Sequence, residues 1–126
     1  MKYYDNGIYP VALVLSNDIE SVRKEYLLYN DECDEELPDK SSSTEASTYL
    51  MERRTEDYRA VAVGIVFYRD ITAKLAAHEG FHAAHFMMNY IDLPLDDSSD
   101  EAWAYLIGWI AACIDDFKNT VQRCMN

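Results

Sequence analysis

The spacing of apolar residues changes period several times along the chain, and each change marks an element. From Ile8 to Ser16 aliphatic and β-branched residues run between turn formers, with Pro10 near the start where its missing N–H is tolerated, which predicts a first strand. Asn17 or Asp18 then caps a helix in which Ile19, Val22, Tyr26 and Leu27 recur at helical spacing through Tyr29. Between Asn30 and Ser47 the apolar period is lost among Asp, Glu, Ser and Pro38. This predicts a solvated acidic loop at about 30–47 with little to bury. Thr48–Arg54 and Tyr58–Tyr68 read as strands joined by Thr55-Glu56-Asp57, a connection of hairpin length. Ala60 to Phe67 is almost entirely apolar, so both faces of that strand should be covered, and Gly64 marks a place where another backbone approaches. Thr72 to Tyr90 reads as a helix, capped by Asp70 or Thr72 and ended by Asp92-Leu93-Pro94. Ser98 to about Gln122 reads as another. The order β-α-β-β-α-α predicts an α+β domain, with a small sheet packed on the helix at 72–90 and the last helix behind it.

Length and composition narrow the field. A chain of 126 residues builds one core, so residues 1–126 are expected to form a single domain. A net charge of −12 argues against nucleic acid and against an anionic membrane surface as partners. The apolar run Val11–Leu15 is too short to span a bilayer, and no basic start with a small-residue cleavage pattern is present. Cys33, Cys113 and Cys124 are odd in number and lack Cys-x-x-Cys spacing, which fits a reducing, cytoplasmic setting better than a disulfide framework.

The chemistry lies in His78-Glu79-Gly80-Phe81-His82, a His-Glu-x-x-His run inside the helix at 72–90. Residues four apart stand one above the other on a helix, so both imidazoles can reach one Zn²⁺ while Glu79 projects beside a water at an open coordination position. Glu101, at the start of the last helix, is the candidate third ligand of a His₂Glu site. Its rival role is the glutamate of a capping box with Ser98. Glu101, Tyr105, Gly108 and Ala112 share one helical stripe, whose small residues suggest close packing on the motif helix. Asp96, Asp97 and Asp100 are the other carboxylates within reach, each better explained as a solvated or helix-start residue. His85 lies on the same stripe as the pair but about 10 Å up the helix from His78, which suits a supporting or rim position, or a plain surface one. Tyr105 and Tyr90 are candidate hydrogen-bond donors to an oxyanion, with a core role for either equally open.

Ala77-His78-Glu79-Gly80-Phe81-His82 together with Asp100-Glu101-Ala102 resembles the zincin metallopeptidases, and the glutamate resembles the third ligand of the gluzincin, or thermolysin-like, branch. The longer phrase through Trp103-Ala104-Tyr105-Leu106-Ile107-Gly108-Trp109-Ile110 is also similar to very small zincin-like proteins of bacteriophages and gut bacteria. The resemblance implies that His78, His82 and Glu101 bind zinc and that Glu79 is general base and acid. It further implies that the strand before the motif helix, at Gly64, Ile65 and Val66, is the sheet edge on which an extended peptide lies. Two departures stand out: the aspartate that such enzymes carry four residues after the glutamate is Tyr105 here, and the helical lobe that gives them an oxyanion-stabilising histidine has no counterpart within residues 1–126, so weaker catalysis is the expectation.

The expectation is thus a zinc-dependent peptidase in which Glu79 takes a proton from water and delivers it to the leaving amine. Two alternatives compete with it: a zinc-stabilised module that captures a peptide or protein at the sheet edge without turnover, and an acidic interaction protein acting through Asp31 to Asp39.

Overall fold

A computed structural model describes residues 1–30, 32–41, 43–54 and 59–125. The elements are β1 (Lys2–Tyr4), β2 (Ala12–Ser16), α1 (Ile19–Arg23), β3 (Leu27–Leu28), β4 (Ala46–Arg54), β5 (Arg59–Phe67), α2 (Ala73–Tyr90) and α3 (Asp100–Met125). They form an α+β domain around one five-stranded sheet of order β1-β2-β5-β4-β3. β5 runs parallel to β2, with Val14 opposite Gly64, and antiparallel to β4, with Thr48 opposite Ile65.

Alternation along the central strands divides the core in two. Leu13, Leu15, Val63, Ile65 and Phe67 point to the face covered by α2 and α3. Ala12, Val14, Ala62 and Val66 point to the other face, where Ile19, Val22, Tyr26, Leu37 and Met51 meet them. The expectation that both faces of this strand are covered is met. At Gly64 what comes closest is the end of the Met51 side chain, 2.7 Å from where a Cβ would stand, with the backbone carbonyl of Val14 on β2 at 3.9 Å.

Several expectations change. The strand expected from Ile8 begins only at Ala12, as β2, with Ile8 exposed before it, and β1 precedes it. The helix expected through Tyr29 stops at Arg23, because Tyr26 is buried against the sheet and Leu27 and Leu28 pair with Glu52 and Met51 of β4. The acidic loop does bury something: Leu37 is 1% exposed, and its carbonyl accepts from Arg23 Nε at 3.0 Å and Nη2 at 2.7 Å. The Thr55-Glu56-Asp57 connection lies outside the described residues, although Arg54 and Arg59 on either side are paired. β1 and β3, three and two residues long, carry no period that distinguishes them in sequence.

The two long helices share the layer above the sheet. Thr72 caps α2, its hydroxyl accepting from Leu75 N at 3.1 Å, and the chain leaves the helix after Tyr90 through Asp92 at φ 57°. α3 turns Trp103, Leu106, Ile110, Cys113, Ile114 and Phe117 inward, a stripe at spacings of three and four. Gly80 lets α2 approach it, a Cβ there standing 3.6 Å from Ile110 and 3.8 Å from Ile114. Among the described residues no helix is long and apolar enough to cross a membrane.

Candidate metal centre

The histidine pair forms as its spacing requires. His78 and His82 lie one turn apart on the solvent face of α2, and their Nε2 atoms converge to 3.2 Å. Two donors bonded at about 2.0–2.1 Å to one tetrahedral ion stand about 3.3–3.4 Å apart, so the pair has the separation of two ligands to a single Zn²⁺. The rings are inclined at 75°, with both nitrogens on the open side of the helix where solvent reaches them.

Glu79, next in sequence, turns toward the sheet and is only 6% exposed. Its Oε2 accepts from the hydroxyl of Thr48 on β4 at 2.5 Å. Thr48 falls on the helix-facing side of the sheet because it is even-numbered with Ala46 and Leu50, both packed on that core, while Tyr49 and Met51 face the other. Glu79 Oε1 takes no hydrogen bond from a described residue and is not among the sealed side-chain oxygens, so it keeps access to water. A carboxylate this buried with one protein partner is costly unless the free oxygen is used.

β4 also supplies an open edge. β3 pairs only with Glu52 and Met51, and Tyr29 N reaches Leu50 O at 2.9 Å. Among the described residues no strand covers Ala46 to Tyr49 on that side. This corrects the expectation for Gly64, Ile65 and Val66: β5 is paired on both sides, so its backbone is not available to a peptide. The open stretch nearest the motif is one strand further out, at Thr48, which bonds Glu79.

The structure does not bring Glu101 to the pair. Glu101, Tyr105, Gly108 and Ala112 do share a stripe, but it is the exposed one, about 180° round α3 from Trp103, Ile110 and Ile114; Tyr105 is 73% exposed and nothing lies within 4 Å of a Cβ at Gly108. The packing expected from small residues is therefore overturned. Burial of each large aliphatic or aromatic side chain is worth about 1.5–3 kcal/mol, so the stripe of Trp, Leu, Ile and Phe outcompetes one of Tyr, Gly and Ala for the interior. Facing is what separates Glu101, since Trp103, two residues on, brings its ring within 6.5 Å of Phe81 in the motif. Among the described residues no three His, Cys, Asp or Glu side chains gather to hold an ion.

The capping-box role does not form either. Ser98 N donates to Asp96 Oδ1 at 2.8 Å and Ser99 N to the same atom at 3.0 Å, so Asp96 organises the turn before α3. The Ser98 hydroxyl and these two amides hold the Asp96 carboxyl below the usual carboxylate range. His85 stands beyond the pair, its ring 6.3 Å from Phe81 and 6.4 Å from Trp103, in an aromatic rim next to the site. Tyr90 is at the far end of α2, edge-on to Tyr29, and Tyr105 is on the outer face of α3, so neither tyrosine reaches the histidines.

Thr48 is the residue that sequence reasoning missed. Its signal was a polar side chain at a helix-facing position of a half-buried strand, recognisable only once the register of β4 is known. Compared with family models, with curated proteins and with solved structures, the chain matches none.

Proposed function

We propose that the protein is a zinc-dependent peptidase whose metal is held by His78 and His82 and whose general base is Glu79. The observation that carries this reading is the 3.2 Å approach of the two Nε2 atoms beside a buried glutamate with one oxygen free. An ion bound there supplies Lewis acidity, lowering the pKa of water from 15.7 toward about 7. Glu79 Oε1 would accept a proton from water as the water oxygen adds to the peptide carbonyl carbon, and would deliver it to the amine nitrogen as the C–N bond breaks. An extended peptide joins β4 over Ala46 to Tyr49 by strand addition, which holds substrate through its backbone whatever its side chains. Glu101 completes a His₂Glu set only by a rearrangement of the start of α3.

The test is incubation of zinc-loaded protein with a mixture of unstructured peptides, read by mass spectrometry. The parent should generate new termini, whereas Glu79→Gln should generate none while keeping its zinc. Equal cleavage by both proteins would remove Glu79 from the mechanism.

A second reading is supported by the distance of Glu101, Tyr105 and Tyr90 from the histidines: a zinc-stabilised module that binds a peptide on β4 without cutting it. Under it Glu79→Gln leaves peptide capture intact, and His78→Ala lowers thermal stability through loss of the metal.

A further inference from the structure

We infer that Thr48 is a positioning residue that fixes which oxygen of Glu79 serves as the base, an inference that rests on the peptidase reading. Glu79 has two chemically equivalent oxygens and rotates about its last torsion with little restraint. The Thr48 hydroxyl removes that equivalence. It donates to Oε2 at 2.5 Å, holding that oxygen against the sheet and leaving Oε1 without a hydrogen-bond partner among the described residues and not fully sealed. A charge-assisted bond of this kind is about twice as strong as a neutral one, and burial strengthens it further.

The position of Thr48 matters as much as its bond. It lies within the stretch of β4 that has no described strand on its outer side, opposite Ile65 on the inner. The strand that receives the peptide is therefore also the strand that aims the base. A shift of β4 would move both together and keep their relative placement, which is what pre-organisation of a reacting pair demands. Removing the hydroxyl leaves the peptide-binding backbone intact and frees the carboxylate to rotate. The loss should fall on turnover and spare substrate capture.

The experiment compares the parent, Thr48→Val and Thr48→Ser as zinc-loaded full chains on one peptide that the parent cleaves. Zinc affinity of each is measured by calorimetry. Thr48→Val, of nearly the same shape, should lower kcat about 10–100-fold with KM within about threefold and zinc affinity unchanged, and Thr48→Ser should recover most of kcat. A readout independent of turnover is the urea midpoint of the metal-free protein in a double-mutant cycle with Glu79→Ala: Thr48→Val should shift the midpoint when Glu79 is present and much less when it is absent. If the zinc-loaded parent cleaves nothing, the peptidase reading falls and this inference with it. If the parent cleaves while Thr48→Val keeps its kcat, or Thr48→Ser fails to recover, or the cycle is additive, the peptidase reading stands and the role of Thr48 is wrong.

Discussion

α2 and α3 pack on one another, yet their sequences constrain them unequally. α2 has a capping threonine, a polar stripe of His78, His82 and His85 and an apolar stripe of Ala83, Ala84, Met87 and Met88, so only one orientation on the sheet is open to it. α3 carries no charged residue from Ala102 to Ile114, so that stretch by itself admits two orientations, and its outward face is marked only outside it, by Asp100, Glu101, Asp115 and Asp116. Within the stretch the large side chains go inward and the small ones to solvent. A stretch that is apolar all round shows that it is helical, and leaves its facing to the packing and to the rest of its helix.

The largest effects should separate the two faces of α3. Ile110 is fully buried, so Ile110→Ala should lower stability by about 2–5 kcal/mol in urea denaturation. Tyr105→Ala, on the outer face, should change it by no more than about 0.5 kcal/mol. The reverse ranking would turn α3 over and bring Glu101 toward the histidines. At the start of α2, Thr72→Ala should cost about 1 kcal/mol by the same measurement, and Thr72→Ser should restore most of it. Loss of nothing would mean that packing alone sets that helix boundary. Gly108→Ala should stabilise by up to about 1 kcal/mol, because helix propensity improves and a Cβ there meets nothing within 4 Å. Destabilisation would show that the small-residue stripe is packed against something.

The same contrast governs what was legible from residues alone. α2 was readable to its last residue, with Asp70 and Thr72 both open as its cap, and so was the stacking of His78 and His82, since i and i+4 fix a shared helical face without help from the rest of the fold. The two central strands were readable because an apolar run near Gly64 has to be covered on both sides. Strand order was not. The resemblance put the edge at the strand before the motif helix, whereas the long, doubly apolar character of that strand suits a centre; β1 and β3 end the sheet, and among the described residues β4 is left open only over Ala46 to Tyr49. Glu101 depended on the facing of α3, and Thr48 on the register of β4, both properties of tertiary packing. Leu37 was a lone apolar residue in an acidic loop, too little to predict burial, yet it plugs the core beneath Val22 and Tyr26.

The smallest expected effect concerns how α3 holds the edge of the sheet. Asp116 Oδ2 accepts from Lys2 Nζ at 2.6 Å and from Tyr4 Oη at 2.7 Å, tying β1 to α3. Those two bonds, Lys2 first, hold its carboxyl below the usual carboxylate range. A depressed folded-state pKa contributes stability above the unfolded value and loses it as pH falls through the folded one. The stability difference between the parent and Asp116→Asn should therefore be fully present at neutral pH and fade on acidification through the carboxylate range. The pair is half exposed, so the difference should shrink in high salt. A difference that persisted at low pH would show that the ion pair does not anchor β1.

The most direct test of the central claim, that two imidazoles on α2 hold one divalent ion, is calorimetric titration of the metal-free protein with zinc. The parent should bind one ion. His78→Ala and His82→Ala should each weaken binding by about 100-fold or more, and Glu101→Ala should weaken it by less than about threefold. A parent that takes up no zinc, or a His82→Ala variant that binds as tightly as the parent, would contradict the account.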